Sequence, residues 1–159
     1  MSALNGRKYT SYVQYQENKE FFEQKVSRTY NEVHGKVIAA RSKILIEKYY
    51  KDFIKAGESI LDIGNGGCAP EGVVGVEVAG QLGSFIGFDA SFSMLARSQN
   101  HYPKTAGNAL EMPFKDSSFD HVLINCLFHH LGFNSEETNG DRIQQLIHEA
   151  LRVTRNSLI

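Results

Sequence analysis

The spacing of apolar residues divides the chain into helical and strand-like stretches that alternate after residue 56. Over 17–54 the apolar positions recur at helical spacing: Phe21, Phe22, Val26 and Tyr30, then Val37, Ile38, Ile44, Leu45, Tyr49 and Phe53. This predicts two helices, with Gly35 as the break between them and Gly57 ending the second. "SILDI", 59–63, is a short β-rich run that stops at a glycine loop, and "PEGVVGVEVAGQLG" predicts one helix with Pro70 in its first turn. "SFIGFD" reads as a second strand ending at Asp89, followed by the helix "FSMLARSQ", which Ser91 can cap. A short third strand is predicted near 104–107, and "HVLINCLF" is a continuous apolar run of the kind a strand covered on both faces carries. Thr138 with Asp141 makes a capping-box pattern for "RIQQLIHEALRV", and "NSLI" looks like a strand beginning.

Strands alternating with helices imply the α/β class, a Rossmann-like parallel sheet with right-handed crossovers. The expected organisation is an N-terminal helical lid over 1–56 and a ligand-binding sheet domain over 57–159. A length of 159 residues with 42% hydrophobic and 22% charged residues fits that picture and adds little to it. The net charge of -1 does narrow the partners, because a nucleic-acid backbone attracts a clearly basic surface. "MSALNGRKYT" lacks the apolar core of a signal peptide, and no run approaches the roughly 18 apolar residues that span a bilayer. A cytoplasmic protein with no membrane partner is the expectation. Cys68 and Cys126 stand far apart, so they are expected as small packed residues, without a disulfide or a thiolate metal site.

In such a sheet ligands sit beyond the carboxyl ends of the strands, which directs attention to 62–66, Asp89, Asn108 and Asn125. Gly64 and Gly66 carry no Cβ to hold a ligand off the backbone, and the following helix is expected to present free N–H groups and a positive dipole end. The two carboxylate oxygens of Asp89 suit the hydroxyls of a ribose. Gly64-x-Gly66-x-x-Ala69 also satisfies a loose dinucleotide fingerprint, so a nicotinamide-dependent oxidoreductase stands as an alternative.

Three stretches bear on that choice. "LDIGNGG" resembles the D-x-G-x-G signature of class I S-adenosylmethionine-dependent methyltransferases, and "IGFDASFSMLARSQ" resembles that family's second motif. "GNALEMPFKDSSFDHVLINCLFHHL" resembles the family segment "GDAxxLPFxDxSFDxVxxxxxLHHL" in type, order and spacing, and "HEALRV" is similar to the start of "ExxRVLKPGG". The resemblance covers 60–153 and implies a methyltransferase of a small-molecule acceptor with S-adenosylmethionine as cofactor. It implies that the loop of Gly64, Asn65 and Gly66 receives the methionine portion, Asp89 the ribose, and Asn108 with Ala109 the adenine, between Met94 and Leu110. Asn125 then lies beside the transferring methyl group, and Asp62 and Ala90 complete the cofactor set. The departures are Cys68 for the third glycine, Asn108 for the expected acid, "TRNS" for "KPGG", and a first helix region about four residues longer than the family spacing.

His129 and His130 are adjacent, so they point different ways and make no metal face. They are the candidate catalytic bases, against a plainer reading in which one packs and one faces solvent. The family sheet has seven strands in the order 3-2-1-4-5-7-6, whereas four strands and the first residues of a fifth are legible here. The expectation is a truncated sheet whose fourth strand exposes an apolar edge. A C-terminal segment or a homo-oligomer would complete it, or the chain is a non-catalytic cofactor-binding or scaffold module.

Overall fold

"SILDI" becomes the middle of a five-stranded parallel sheet in a computed structural model that describes residues 19–21, 40–96, 101–131 and 136–159, without the side chains of 129 and 136–139. The strands are β1 (Ser59–Ile63), β2 (Ser84–Asp89), β3 (Lys104–Ala106), β4 (Phe119–Ile124) and β5 (Thr154–Leu158), in the order β3-β2-β1-β4-β5. This is the Rossmann-like α/β sheet expected from the alternation, with β1 and β2 at the expected bounds. Because β1 has a neighbour on each side and cover on each face, Ile60, Leu61 and Ile63 are all buried.

Helices cover both faces. The longest, α5 (Glu136–Val153), lays Leu146, Ala150 and Val153 against Leu61, Ile63, Phe88 and Val122. Arg152, in its last turn, donates to the carbonyls of Phe114 (2.7 Å) and Met112 (3.0 Å) and to Asp116 and Glu149, which pins the segment between β3 and β4 to the helix. The other face carries a helical segment over 40–53, here α1, with α2 (Pro70–Val74) and α3 (Val76–Ala79); α4 is Phe92–Leu95.

Four expectations need correction. The apolar stripe of α1 is displaced by one residue: Ile44, Tyr49 and Phe53 are 53%, 48% and 58% exposed, while Tyr50 and Ile54 are 1% and 6% exposed. For the positions after Ile46 the cause is a π-helical turn at Ile46–Tyr50, in which Lys51 N–H bonds to Ile46 O; Ile44 precedes that turn. One extra residue in the turn rotates everything after it by about 100°. Tyr50→Ala is therefore expected to cost about 3 kcal/mol or more, and Tyr49→Ala about 0.5 kcal/mol or less, in denaturant titrations. Equal losses would contradict the displaced register.

The single helix expected after Pro70 is broken at Gly75, whose φ of +88° and missing Cβ make room for Ile46, Cγ2 of which lies 2.9 Å from where that Cβ would stand. α5 starts at Glu136, so Thr138 lies inside it and Thr138–Asp141 is not a capping box. β5 follows α5 without a loop and pairs with β4, so β4 has a neighbour on both sides instead of an open edge. Gly35 lies outside the described residues. Ser91 does cap α4, accepting from Met94 N–H at 3.1 Å.

A buried histidine interrupts the apolar run of β4. His121 Nδ1 lies 2.6 Å from Ser157 Oγ and Nε2 lies 2.7 Å from Glu58 Oε2, so its ring ties β5 to the turn before β1. That hydrogen bond also holds the Glu58 carboxyl below its ordinary pKa. Among the described residues no helix is long and apolar enough to cross a membrane, and no group of three or more metal-ligating side chains occurs.

Candidate functional site

The site is built where β1 stops. Gly64, Gly66 and Gly67 turn the chain with φ of +75°, +60° and +80°. Cys68 is not in that conformation, so Gly67 supplies the third left-handed glycine and the replacement at 68 is harmless to the turn. The N–H groups of this loop all point inward. Gly64 and Asn65 both donate to Phe88 O at 2.8 and 3.1 Å, Cys68 donates to Asn65 O at 3.0 Å, Gly66 to Asp89 Oδ2 at 2.9 Å and Gly67 to Asn65 Oδ1 at 3.1 Å. The helix that follows is five residues long and begins with a proline, which has no N–H. Free N–H groups facing a ligand were expected from this helix; Pro70 has none, and Gly72 and Val73 both donate to Ala69 O.

Asp62 and Asn65 lie beneath the loop, each 3% exposed. Asn65 Nδ2 donates to Asp62 Oδ2 at 2.8 Å and to Cys68 O at 2.9 Å, while Asp62 Oδ1 is buried with no hydrogen-bond partner among the described residues. Burial pushes the Asp62 carboxyl up to about 7, against the Asn65 hydrogen bond and with the help of the Asp89 charge. Asp89 ends β2, its Oδ2 held by Gly66 N–H and its Oδ1 by Ser91 N–H, both at 2.9 Å. Asn108 closes its own turn through Leu110 N–H at 3.0 Å, and Leu110 O accepts from Gln145 Nε2 at 2.9 Å. Asn125, just past β4, has its Nδ2 3.3 Å and its Oδ1 3.4 Å from the hydroxyl of buried Tyr50.

One cavity gathers most of these residues. Gly64, Gly66, Asp89, Ala90, Met94, Asn108, Ala109, Leu110 and Asn125 all line it. Asp62 and Asn65 do not; the Asn65 side chain spends its donors and acceptors inside the protein. His130 lines the cavity, whereas the side chain of His129 lies outside the described residues.

Sequence reasoning missed Phe88, Leu127 and Leu131, which add apolar wall, and Arg142, which is buried and donates to Leu131 O at 3.0 Å. Phe88 was legible as the apolar neighbour of Asp89; Arg142 carried no signal, being one polar position of an amphipathic helix. Cys126, expected to be packed, is exposed, lines the cavity and has a φ of +54°, a conformation that non-glycine residues rarely hold.

Residues 61–157 match the Methyltransferase domain family, Methyltransf_11. The chain belongs to this family. The chain is 30% identical over 121 residues to demethylmenaquinone methyltransferase of Oceanobacillus iheyensis, covering 64% of this chain and 49% of that protein. It thus spans about half the length of the curated relative it matches. Among solved structures, PH0226 protein from Pyrococcus horikoshii superposes with a TM-score of 0.61 at 21% identity, over 86% of this chain and 61% of that one. Phosphoethanolamine N-methyltransferase 1 of Haemonchus contortus, in complex with phosphoethanolamine and S-adenosylhomocysteine, gives 0.61 at 17% identity, over 91% of this chain and 31% of that one. At these identities the structural likeness is one of fold.

S-adenosylmethionine is the cofactor of class I methyltransferases, and the cavity of this methyltransferase domain suits it. Its walls include the apolar side chains of Phe88, Met94, Leu110 and Leu131, a surface that suits a purine ring. The Asp89 oxygens that hold backbone N–H groups have the capacity to accept ribose hydroxyls as well. A Cβ on Gly64 would meet Leu127 at 3.2 Å and one on Gly66 would meet Met94 at 3.4 Å, so both glycines keep the loop open.

Proposed function

We propose that this chain binds S-adenosylmethionine in the cavity between Gly64, Asp89 and Asn125 and serves methyl transfer to a small-molecule acceptor. The observation that carries this reading is the polarity of the loop. A pyrophosphate needs N–H donors, and those of 64–68 are engaged within the protein. An ammonium group needs negative charge close by, and the Asp62 carboxylate lies buried directly beneath the loop whose Gly64 and Gly66 line the cavity, with Asp89 lining it as well. The loop therefore favours an amino-acid head group over a dinucleotide, which argues against the nicotinamide alternative that the glycine spacing alone leaves open.

When bound, S-adenosylmethionine supplies a methyl group already activated by a positive sulfur. The chain's own part is alignment and exclusion of water. In this reading Asn108 and Ala109 meet the adenine edge, Asp89 the ribose, and Asn125, held against Tyr50, the side from which the acceptor approaches. His130 acts as a base only for an acceptor that must lose a proton, such as a hydroxyl. The small-molecule class is supported by the net charge of -1 and by the names of the two methyltransferase relatives, each of which refers to a small molecule. The N-terminal part of the chain, 1–56, serves as the lid in this reading; Lys19, which lines the cavity, supports this.

Isothermal titration tests the reading. Saturable binding of S-adenosylmethionine and S-adenosylhomocysteine, without competition from a nicotinamide dinucleotide, is the expected result. Competition by the dinucleotide, or no binding by the folded chain, would overturn it.

A further inference from the structure

Tyr102 belongs to no motif and does not line the cavity, yet it reaches the cofactor loop. It stands two residues before β3, its ring against Phe85 in an edge-on contact with centroids 5.5 Å apart. From there its hydroxyl donates to Asn65 Oδ1 at 2.9 Å. The amide of Asn65 then makes four contacts at once: it accepts from Tyr102 and from Gly67 N–H, and donates to Asp62 Oδ2 and to Cys68 O. Its orientation is unambiguous, because a backbone N–H only donates and a carbonyl oxygen only accepts. Gly87 of β2 is part of the same arrangement. A Cβ there would lie 2.7 Å from Asn65 Oδ1 and 2.9 Å from the Tyr102 ring, so the strand is notched where the two side chains meet.

We propose that Tyr102 is a positioning residue for cofactor binding, holding Asn65 so that Asn65 fixes both the Asp62 carboxylate and the turn at Gly67 and Cys68. This rests on the reading of Asp62 as the partner of the cofactor's ammonium group. With Oδ2 of Asp62 tied to Asn65, the carboxylate is held beneath the loop as a charge facing the ammonium group across it, and the loop keeps its inward set of N–H bonds. The arrangement also sets the charge of Asp62. Burial and Asp89 favour its neutral form, the Asn65 hydrogen bond favours the charged form, and Tyr50 faces it from α1. Loosening Asn65 therefore makes the carboxylate harder to ionise.

Tyr102→Phe removes only the hydroxyl, and Gly87→Ala displaces the pair without removing a polar group. Each is read by S-adenosylhomocysteine titration across a pH series and by thermal unfolding of the full chain. Losing one hydrogen bond of this kind is expected to weaken binding roughly three- to ten-fold in Tyr102→Phe. The pH midpoint of binding is expected to move upward in both variants, with the unfolding temperature of Tyr102→Phe close to wild type. A wild-type chain that binds and a Tyr102→Phe variant that matches its affinity and pH midpoint overturn the proposal alone. So does a variant whose unfolding temperature falls while its binding stays unchanged, since that is a merely structural role. A folded wild-type chain that does not bind overturns the cofactor reading itself, and this proposal with it.

Discussion

At about pH 8 the Asp62→Asn variant is expected to unfold at a higher temperature than the wild-type chain and to bind S-adenosylmethionine more weakly. Both effects come from one buried carboxyl. Its pKa is raised to about 7 by burial, so the folded chain holds the proton more tightly than the unfolded chain does. Below about pH 4 both states are protonated and ionisation costs nothing. Between about 4 and 7 the unfolded chain ionises first and stability falls, and above 7 the folded state bears the whole cost, on the order of 4 kcal/mol. An asparagine carries no such cost and still accepts from Asn65 Nδ2. The gain in unfolding temperature should therefore be several degrees near pH 8 and close to nothing near pH 4. Binding should weaken about 10-fold, because the ammonium group loses the negative charge beneath the loop. A variant with wild-type stability across that range would show that Asp62 is not ionised at cost in the fold; unchanged affinity would show that it is not a ligand partner.

Asp89→Ala is expected to weaken cofactor binding by about 100-fold or more, since hydrogen bonds to a charged group contribute about 1.5–3 kcal/mol each. The same carboxylate fastens Gly66 N–H of the loop and Ser91 N–H at the start of α4, so the loop loses an anchor as well as the ribose. Asp89→Asn separates the two roles. Its single carbonyl oxygen serves one partner where the carboxylate served two, so its affinity should fall between wild type and alanine. Calorimetry with S-adenosylhomocysteine, with circular dichroism as the check on folding, reads both variants. Wild-type affinity in a folded Asp89→Ala chain would remove Asp89 from the site.

The β-rich runs "SILDI" and "SFIGFD" were legible to the residue because each is a short, mostly apolar run bounded by turn residues, as a strand covered on both faces requires. The strand-end residues Gly64, Asp89, Asn108 and Asn125 were legible for a topological reason: parallel strands all end on one side, and so their last residues meet. The helices were less so. The π turn in α1 moves burial from Tyr49 to Tyr50 without any change in apolar content, and the break at Gly75 depends on the position of Ile46, a residue far from it in sequence.

The sequence by itself determined the α/β alternation, the family and the strand-end positions Gly64, Asp89, Asn108 and Asn125 that face the cavity, because these follow from periodicity, strand ends and a motif of fixed spacing. Only the tertiary structure decided what the glycine loop does with its N–H groups. Phe88, Asp89 and Asn65 take them up, and a loop with its donors spent and a buried carboxylate beneath it suits an ammonium rather than a phosphate. Hydrogen bonds between residues distant in sequence leave no mark in local pattern, which is why Tyr102 and Tyr50 entered the site only through the fold.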